Sequence, residues 1–423
     1  MHATHNKNTV RYFLLVSIFL AFLFFTTDFG LIDIQKTAIV LAAGIDREGD
    51  DFIVTSQISI PKSSDQGQST SAVQIVSRGK TVAKAFEEID AKTGWYPKLV
   101  FCNLILLGEE TTKQDVFDAL DYFLLDEYLS DNCFVATCNG KAADLLNATA
   151  LIEDSSSAAI GKILSNHAER VGTVYPSTLR TFAMGYAADD ACSTLPVIKL
   201  QNQQEPKGES SPNESQNQQG GQAQQNGGQK GGQGQQGAQS SQDGQPSKSN
   251  GEQNKPVFSA EETALFKHGK RVGTLTPEET FAANAVLAKL RLAPYSVQTE
   301  NAACTLTIKQ NAPKIKLKVA KNGLATLKIN LTLTAGLLDY AKSISPQDLA
   351  DVGDVPAGAF SAAQKKLSGE ILSLFEKTRA LDCDLFRIAD RFRKTGNPNA
   401  QIYQDTLLKN SVVEVEVHFQ NVR

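Results

Sequence analysis

The sequence predicts an α+β protein with two folded regions, on three observations. Apolar residues recur at the strand period of two in some stretches and near the helical period in others. The two kinds of stretch alternate in the first half, whereas long alternating strands and one long helix fill the second. Between the halves, from Gln201 to Pro256, there is no Val, Ile, Leu, Phe, Met, Trp, Tyr or Cys.

The N-terminus comes first. His2, His5, Lys7 and Arg11 precede a run, Tyr12 to Thr27, that carries no charge. This layout predicts a transmembrane anchor or signal segment over residues 12–32, with 1–11 in the cytoplasm and the rest outside it. Phe24-Phe25-Thr26-Thr27 offers no A-x-A cleavage pattern, so the expectation is an uncleaved membrane helix. The charge-free run is a little shorter than the roughly 20 residues that span a bilayer, and Phe29, Leu31 and Ile32 extend it past Asp28.

Residues 36–200 form the first folded region, a mixed α/β one. AIVLAAGI (Ala38 to Ile45) and FIVTSQISI (Phe52 to Ile60) read as a hairpin across REGDD, and AVQIVS (Ala72 to Ser77) adds a strand. Thr81 to Ala91 sets Val82, Phe86 and Ile89 at helical spacing, with Glu87 and Glu88 on the wet side. LVFCNLILLG (Leu99 to Gly108) is continuously apolar, as a central strand buried on both faces should be. A helix over about Lys113 to Leu125 and a short internal strand, CFVAT (Cys133 to Thr137), follow.

Residues 201–256 are rich in Gln, Gly, Ser and Asn and bury too little apolar surface to offset ordering entropy. They predict a disordered linker whose ends lie roughly 40 Å apart by flexible-chain scaling. Gly232-Gln-Gly234-Gln-Gln-Gly237 matches G-x-G-x-x-G, but no strand precedes it and no helix follows, so composition explains the match.

Residues 257–423 form the second region. TALFK and RVGTL predict a hairpin around His268-Gly269-Lys270; Thr276-Pro277-Glu278-Glu279 then starts a helix with an N-cap, a first-turn proline and first-turn acids. CTLTIKQ, PKIKLKVA and ATLKINLTLTA predict an antiparallel sheet. In it Ile315, Leu317 and Val319 share the core face and Lys314, Lys316 and Lys318 the other, read as solvent-facing rather than as a lipid contact. A long helix from about Ser361 to Arg393 breaks at Asp382 or Asp384, and SVVEVEVHF closes the chain as a strand whose Glu414 and Glu416 meet the lysine row if the strands are neighbours.

The hydrophobic fraction of 41% supports packed cores, and a formal charge of -4 gives no basic footprint, so nucleic acid is not an expected partner. Six cysteines in 423 residues do not make a small disulfide scaffold. Two readings stand for Cys133 and Cys138: a disulfide in an exported protein, or two small apolar side chains in a strand.

A search for chemistry identifies no catalytic, cofactor-binding or metal site. The acid pairs Asp50/Asp51, Glu87/Glu88, Glu109/Glu110, Asp189/Asp190 and Glu278/Glu279 are sequence neighbours that point to different faces and read as solvated charge. The histidines His2, His5, His167, His268 and His418 are isolated, and neither H-E-x-x-H, G-x-S-x-G nor a P-loop occurs. Asn147-Ala-Thr149, Asn213-Glu-Ser215 and Asn330-Leu-Thr332 fit the glycosylation sequon, a pattern short enough to arise by chance.

Several stretches are familiar in series. AIVLAAGIDREGDDFIVTSQISIP, then GKTVAKAFEEID with KLVFCNLILLGEE, then DVFDALDYFLLDEYLSDNCFVA, and finally TALFKHGKRVGTLTPEET with LDCDLFRIADRFRK resemble, in the same order, segments of the Ger(x)C family of spore germination proteins. The family's lipidated Cys-Trp-Asp falls here on Asp28-Phe29-Gly30, and no Cys precedes Cys102, so no lipidation residue is assigned. The resemblance implies a non-enzymatic, lipoprotein-like germinant-receptor subunit on the extracytoplasmic face of the inner spore membrane. Its partners would be integral-membrane and other receptor subunits, and its role would be to couple nutrient detection to germination. The alternative reading is a membrane-tethered extracytoplasmic binding protein for a small molecule or cell-wall fragment, favoured by a deep apolar pocket in the first region.

Overall fold

The computed structural model describes residues 3–26, 37–60, 71–165, 167–201, 257–299, 303–320, 324–340, 355–356, 358–395 and 406–422. The expected linker and the expected lipid position therefore lie outside the described residues, except for Gln201.

The N-terminal helix α1 (Ala3–Thr26) forms where the apolar run predicts one, and Val10 to Phe22 are exposed. Among the described residues no helix is long and apolar enough to cross a membrane.

The first sheet begins with β1 (Thr37–Glu48) and β2 (Asp51–Ile60), an antiparallel hairpin tightened to the two-residue turn Gly49-Asp50, followed by β3 (Ser71–Gly79). Thr81 caps α2 (Val82–Thr93) by accepting the Lys84 N–H, and Gly94 ends it in the left-handed region. Val82, Ala85, Phe86 and Ile89 form its buried stripe, as the spacing predicts. β4 (Tyr96–Lys98) and β5 (Leu104–Leu107) both run parallel to β1, with the four residues of β5 fully buried. A short α3 (Glu109–Thr112) precedes α4 (Phe117–Leu125), which starts four residues later than the periodicity predicts because Asp115 accepts the Phe117 N–H and sets the helix entry there. β6 (Phe134–Cys138) lies parallel to β5.

The sequence pattern assigns no elements to residues 139–200, and the structure places there α5 (Ala142–Asn147), α6 (Ser156–Leu164), α7 (His167–Val171), α8 (Leu179–Tyr186) and β7 (Cys192–Gln201). These helices have five to nine residues, too few turns to print a clear period.

The first sheet does not end at the linker. β8 (Val257–Lys267) pairs antiparallel with β7, Gln201 opposite Val257 and Cys192 opposite Lys267, and β9 (Lys270–Leu275) completes the edge. Its order is β3-β2-β1-β5-β6-β7-β8-β9, with β4 off the path on β1. The expected separation of about 40 Å across the linker is thus overturned, because directly paired strand residues sit only about 5 Å apart. Helices cover both faces: α2, α4 and α8 pack on Ile105 and Leu107, and α5 and α6 on Leu104 and Leu106.

The second layer is built on α9 (Pro277–Leu287), where Thr276 is the expected N-cap and, with Glu279, closes a capping box. Strands β10 (Ala293–Gln298), β11 (Ala303–Val319) and β12 (Ala325–Tyr340) are antiparallel; α10 (Ala359–Ala380) and α11 (Ile388–Arg393) follow, and β13 (Ser411–Asn421) finishes the sheet in the order β10-β11-β12-β13. The long helix breaks at Leu381–Arg387, where Asp382 and Arg387 adopt positive φ. One expectation fails. β13 runs parallel to β12, so the sheet is mixed rather than wholly antiparallel. The cause is connectivity, because α10 lies between β12 and β13 and packs on their shared face, which makes a β-α-β crossover. It also keeps β13 away from the lysine row: β12 intervenes, and Glu416 pairs with Lys328 at 2.9 Å instead. Lys314, Lys316 and Lys318 are exposed on the uncovered face, as the alternation predicts.

Candidate functional site

The chemistry-bearing side chains that the fold brings together lie along the seam where the two sheets meet. Cys192, at the start of β7, is disulfide-bonded to Cys383, just beyond α10. This replaces the pairing considered for Cys133 and Cys138, which are free and buried in separate cores on opposite faces of the first sheet. Five positions is an odd step, and along a strand an odd step reverses the face. Nothing in the local spacing of Cys192 and Cys383, 191 residues apart, could have signalled their bond.

Two ion pairs cross the same seam: Lys267 reaches Asp382 at 3.9 Å and Arg393 reaches Asp189 at 3.1 Å. Within the second layer, Lys377 of α10 reaches Glu279 of α9 at 2.5 Å. Asn284 of α9 is buried, and its amide donates to the carbonyls of Gly172 and Val174 at 2.8 and 2.9 Å, fastening α9 to the segment between α7 and α8.

Two adjoining clefts run along this line, of about 240 and 350 Å³, sharing Pro176, Thr181, Asn284 and Ala288. Their hydroxyls are largely committed to the chain itself: Ser193 donates to the Phe182 carbonyl at 3.0 Å, and Ser177 bonds Thr181 at 3.3 Å.

Asp384 is the electrostatic exception. It is 2% exposed, and one of its oxygens accepts the Ala389 N–H at 2.9 Å while the other has no hydrogen-bond partner among the described residues. Burial, reinforced by repulsion from Asp190, pushes its carboxyl up to about 7. Burial also raises Asp190, which has a buried oxygen without a hydrogen-bond partner among the described residues, so one acid of the Asp189/Asp190 pair is not the solvated charge that the sequence suggests.

The remaining sequence candidates do not converge. Asp51 pairs with Arg78 and Lys80, Glu88 with Lys92, Glu110 with Lys113, and Glu109 accepts the Gly140 N–H. His268 occupies a turn at positive φ and His418 is exposed on β13; His2 lies outside the described residues, as do the side chains of His5 and His167. Among the described residues no cluster of three or more His, Cys, Asp and Glu is arranged to hold a metal ion. The seam joins the two layers through the disulfide and these polar contacts.

No curated protein matches this chain significantly. A crystal structure of the GerBC protein is similar at 15% sequence identity with a TM-score of 0.48, over 90% of this chain and 97% of that one. The model of the spore germination protein N-terminal domain matches residues 31–200, and that of the spore germination B3/GerAC-like C-terminal domain matches residues 261–423. With both domain models matched in order on either side of the Gln/Gly-rich segment, the chain belongs to the Ger(x)C family of spore germination proteins.

Proposed function

We propose that this chain is a non-enzymatic subunit of a germinant receptor, attached to the inner spore membrane with its bulk on the extracytoplasmic face, where it couples nutrient detection to germination. The observation that carries the reading is the pair of family matches, 31–200 and 261–423, which leave out little beyond the N-terminus and the linker. Attachment by α1 is supported by its exposed apolar side chains, Tyr12 to Phe22, interrupted only by Ser17 and Ala21. The competing reading, a tethered binding protein, calls for a deep apolar pocket within the first region. The two clefts lie instead along the seam, and apart from Asp384 their polar side chains are largely hydrogen-bonded to the chain itself.

The test is fractionation of the protein from its own sporulating cells, with N-terminal sequencing. An intact terminus in a membrane fraction that resists high salt, co-purifying with an integral-membrane receptor subunit, is the expected result. A new terminus near Asp28 in the soluble fraction would overturn the anchor, and loss of co-purification would overturn the receptor role.

A further inference from the structure

The two ends of the first sheet differ in chemistry. Strands β1, β5 and β6 are parallel, so they all start at one end and finish at the other. At the finishing end the side chains are charged and paired. Arg78 binds Asp51 at 3.2 Å, Lys80 binds Asp51 at 2.8 Å, and Lys141 binds Glu48 at 3.2 Å.

The starting end exposes large apolar side chains among the described residues. Helices α2 and α4 run back along the sheet, so their last residues arrive where β1, β5 and β6 begin, together with the segments that lead into β5 and β6. Gathered there are Trp95, Tyr96, Val100, Phe101, Leu125 and Tyr128, all exposed, with Phe101 at 60%, Leu125 at 81% and Tyr128 at 65%. Tyr96 is the register partner of Thr37, the first residue of β1, and Lys98 lies 5.9 Å from the Tyr128 ring, which ties the two sides of the group together. Solvated protein surface seldom collects this many large apolar side chains without a partner.

Chain length says which partner. Ten residues separate Thr26, the end of α1, from Thr37. Fully extended, that connection reaches no more than about 40 Å, so the first sheet is held to α1 by the end that carries the aromatic group. Trp and Tyr favour the headgroup layer of a bilayer, where an apolar ring and a polar edge are both satisfied.

We propose that this end of the first sheet is a membrane-interface surface, with Trp95, Tyr96, Val100, Phe101, Leu125 and Tyr128 resting in the headgroup layer of the bilayer that holds α1. The inference rests on the anchoring reading above. Asp121, Asp126, Glu127 and Asp131 outnumber Lys92 and Lys98 beside the group, so the contact is apolar in character and needs no anionic lipid.

Trp95 is the single tryptophan of the chain, which makes it a reporter without labelling. The full chain is reconstituted in phosphatidylcholine vesicles, and Trp95 emission is recorded with and without lipids brominated on the upper acyl carbons. The expected result is a blue-shifted emission, quenched by the brominated lipid and unchanged by salt. In the double variant Phe101→Glu with Leu125→Glu, at two exposed positions where folding is not at stake, the shift and the quenching are lost while the protein still sediments with the vesicles. A chain that sediments with the vesicles but keeps a water-like, unquenched Trp95 overturns the interface and leaves the anchor standing, with a protein partner as the remaining occupant. A chain that stays in the supernatant overturns the anchor and the interface with it.

Discussion

Gln201 and Val257 face each other across adjacent antiparallel strands, so the segment between them begins and ends at the same end of one strand pair of the first sheet. The Gln/Gly-rich segment is an insertion within a strand pair. It is not a spacer between separate bodies.

Replacing residues 202–256 by a turn of about five residues should therefore keep the fold and stabilise it. Loop-closure entropy grows with the logarithm of length, and shortening the loop about elevenfold contributes roughly 2 kcal/mol. Urea denaturation checks this. A shortened chain that unfolds at lower urea, or no longer folds, would show that the strands need the insertion.

The Cys192–Cys383 bond closes a long stretch of chain and joins the first sheet to the end of α10. Reduction, or the double substitution Cys192→Ser with Cys383→Ser, should cost roughly 2–5 kcal/mol, mainly through the greater freedom of the unfolded chain. The denaturation midpoints of the oxidised and reduced protein give the comparison. Identical midpoints would mean the bond does not form in the native protein.

Asp384 should make stability depend on pH. Its native-state pKa, about 7, lies above the ordinary carboxylate value of 3.8. The native state therefore holds a proton that the unfolded state has released. The contribution is fully present below pH ~4 and is lost as the pH rises through 7, and each unit of difference is worth about 1.4 kcal/mol. Asp384→Asn keeps an oxygen for the Ala389 N–H and removes the charge. It should stabilise the protein by a few kcal/mol at pH 8 and change it little at pH 4. Thermal melts across that range decide, and a variant with an unchanged pH profile would place the titration elsewhere.

Asn284→Ala leaves the Gly172 and Val174 carbonyls without their side-chain donor. The expected loss is about 2–4 kcal/mol, with faster amide exchange over residues 172–178 than elsewhere in the chain. Uniform exchange would show that Asn284 does not fasten this segment.

The sequence by itself determined whatever depends on neighbours along the chain. Thr276 and Glu279 are three residues apart, and that spacing alone sets the capping box. The lysine row and the half-buried face of Ile315, Leu317 and Val319 follow from a strand period of two, and the stripe Val82, Phe86, Ile89 from a helical one. The ordered family segments were equally legible, because each is a local run of residues.

Tertiary structure decided what depends on long closures. The pairing of β7 with β8 across the insertion, the parallel entry of β13 beside β12, and the bond between Cys192 and Cys383 all join residues whose local patterns are indifferent to the partner. Asp384 looks like any acid in a chain, and only the packing of α11, β8 and the seam around it removes the water that would keep it charged. The aromatic group at the starting end of the first sheet has the same origin. Its six residues span Trp95 to Tyr128 and show no common period, and they meet because parallel strands and returning helices bring their termini to one end.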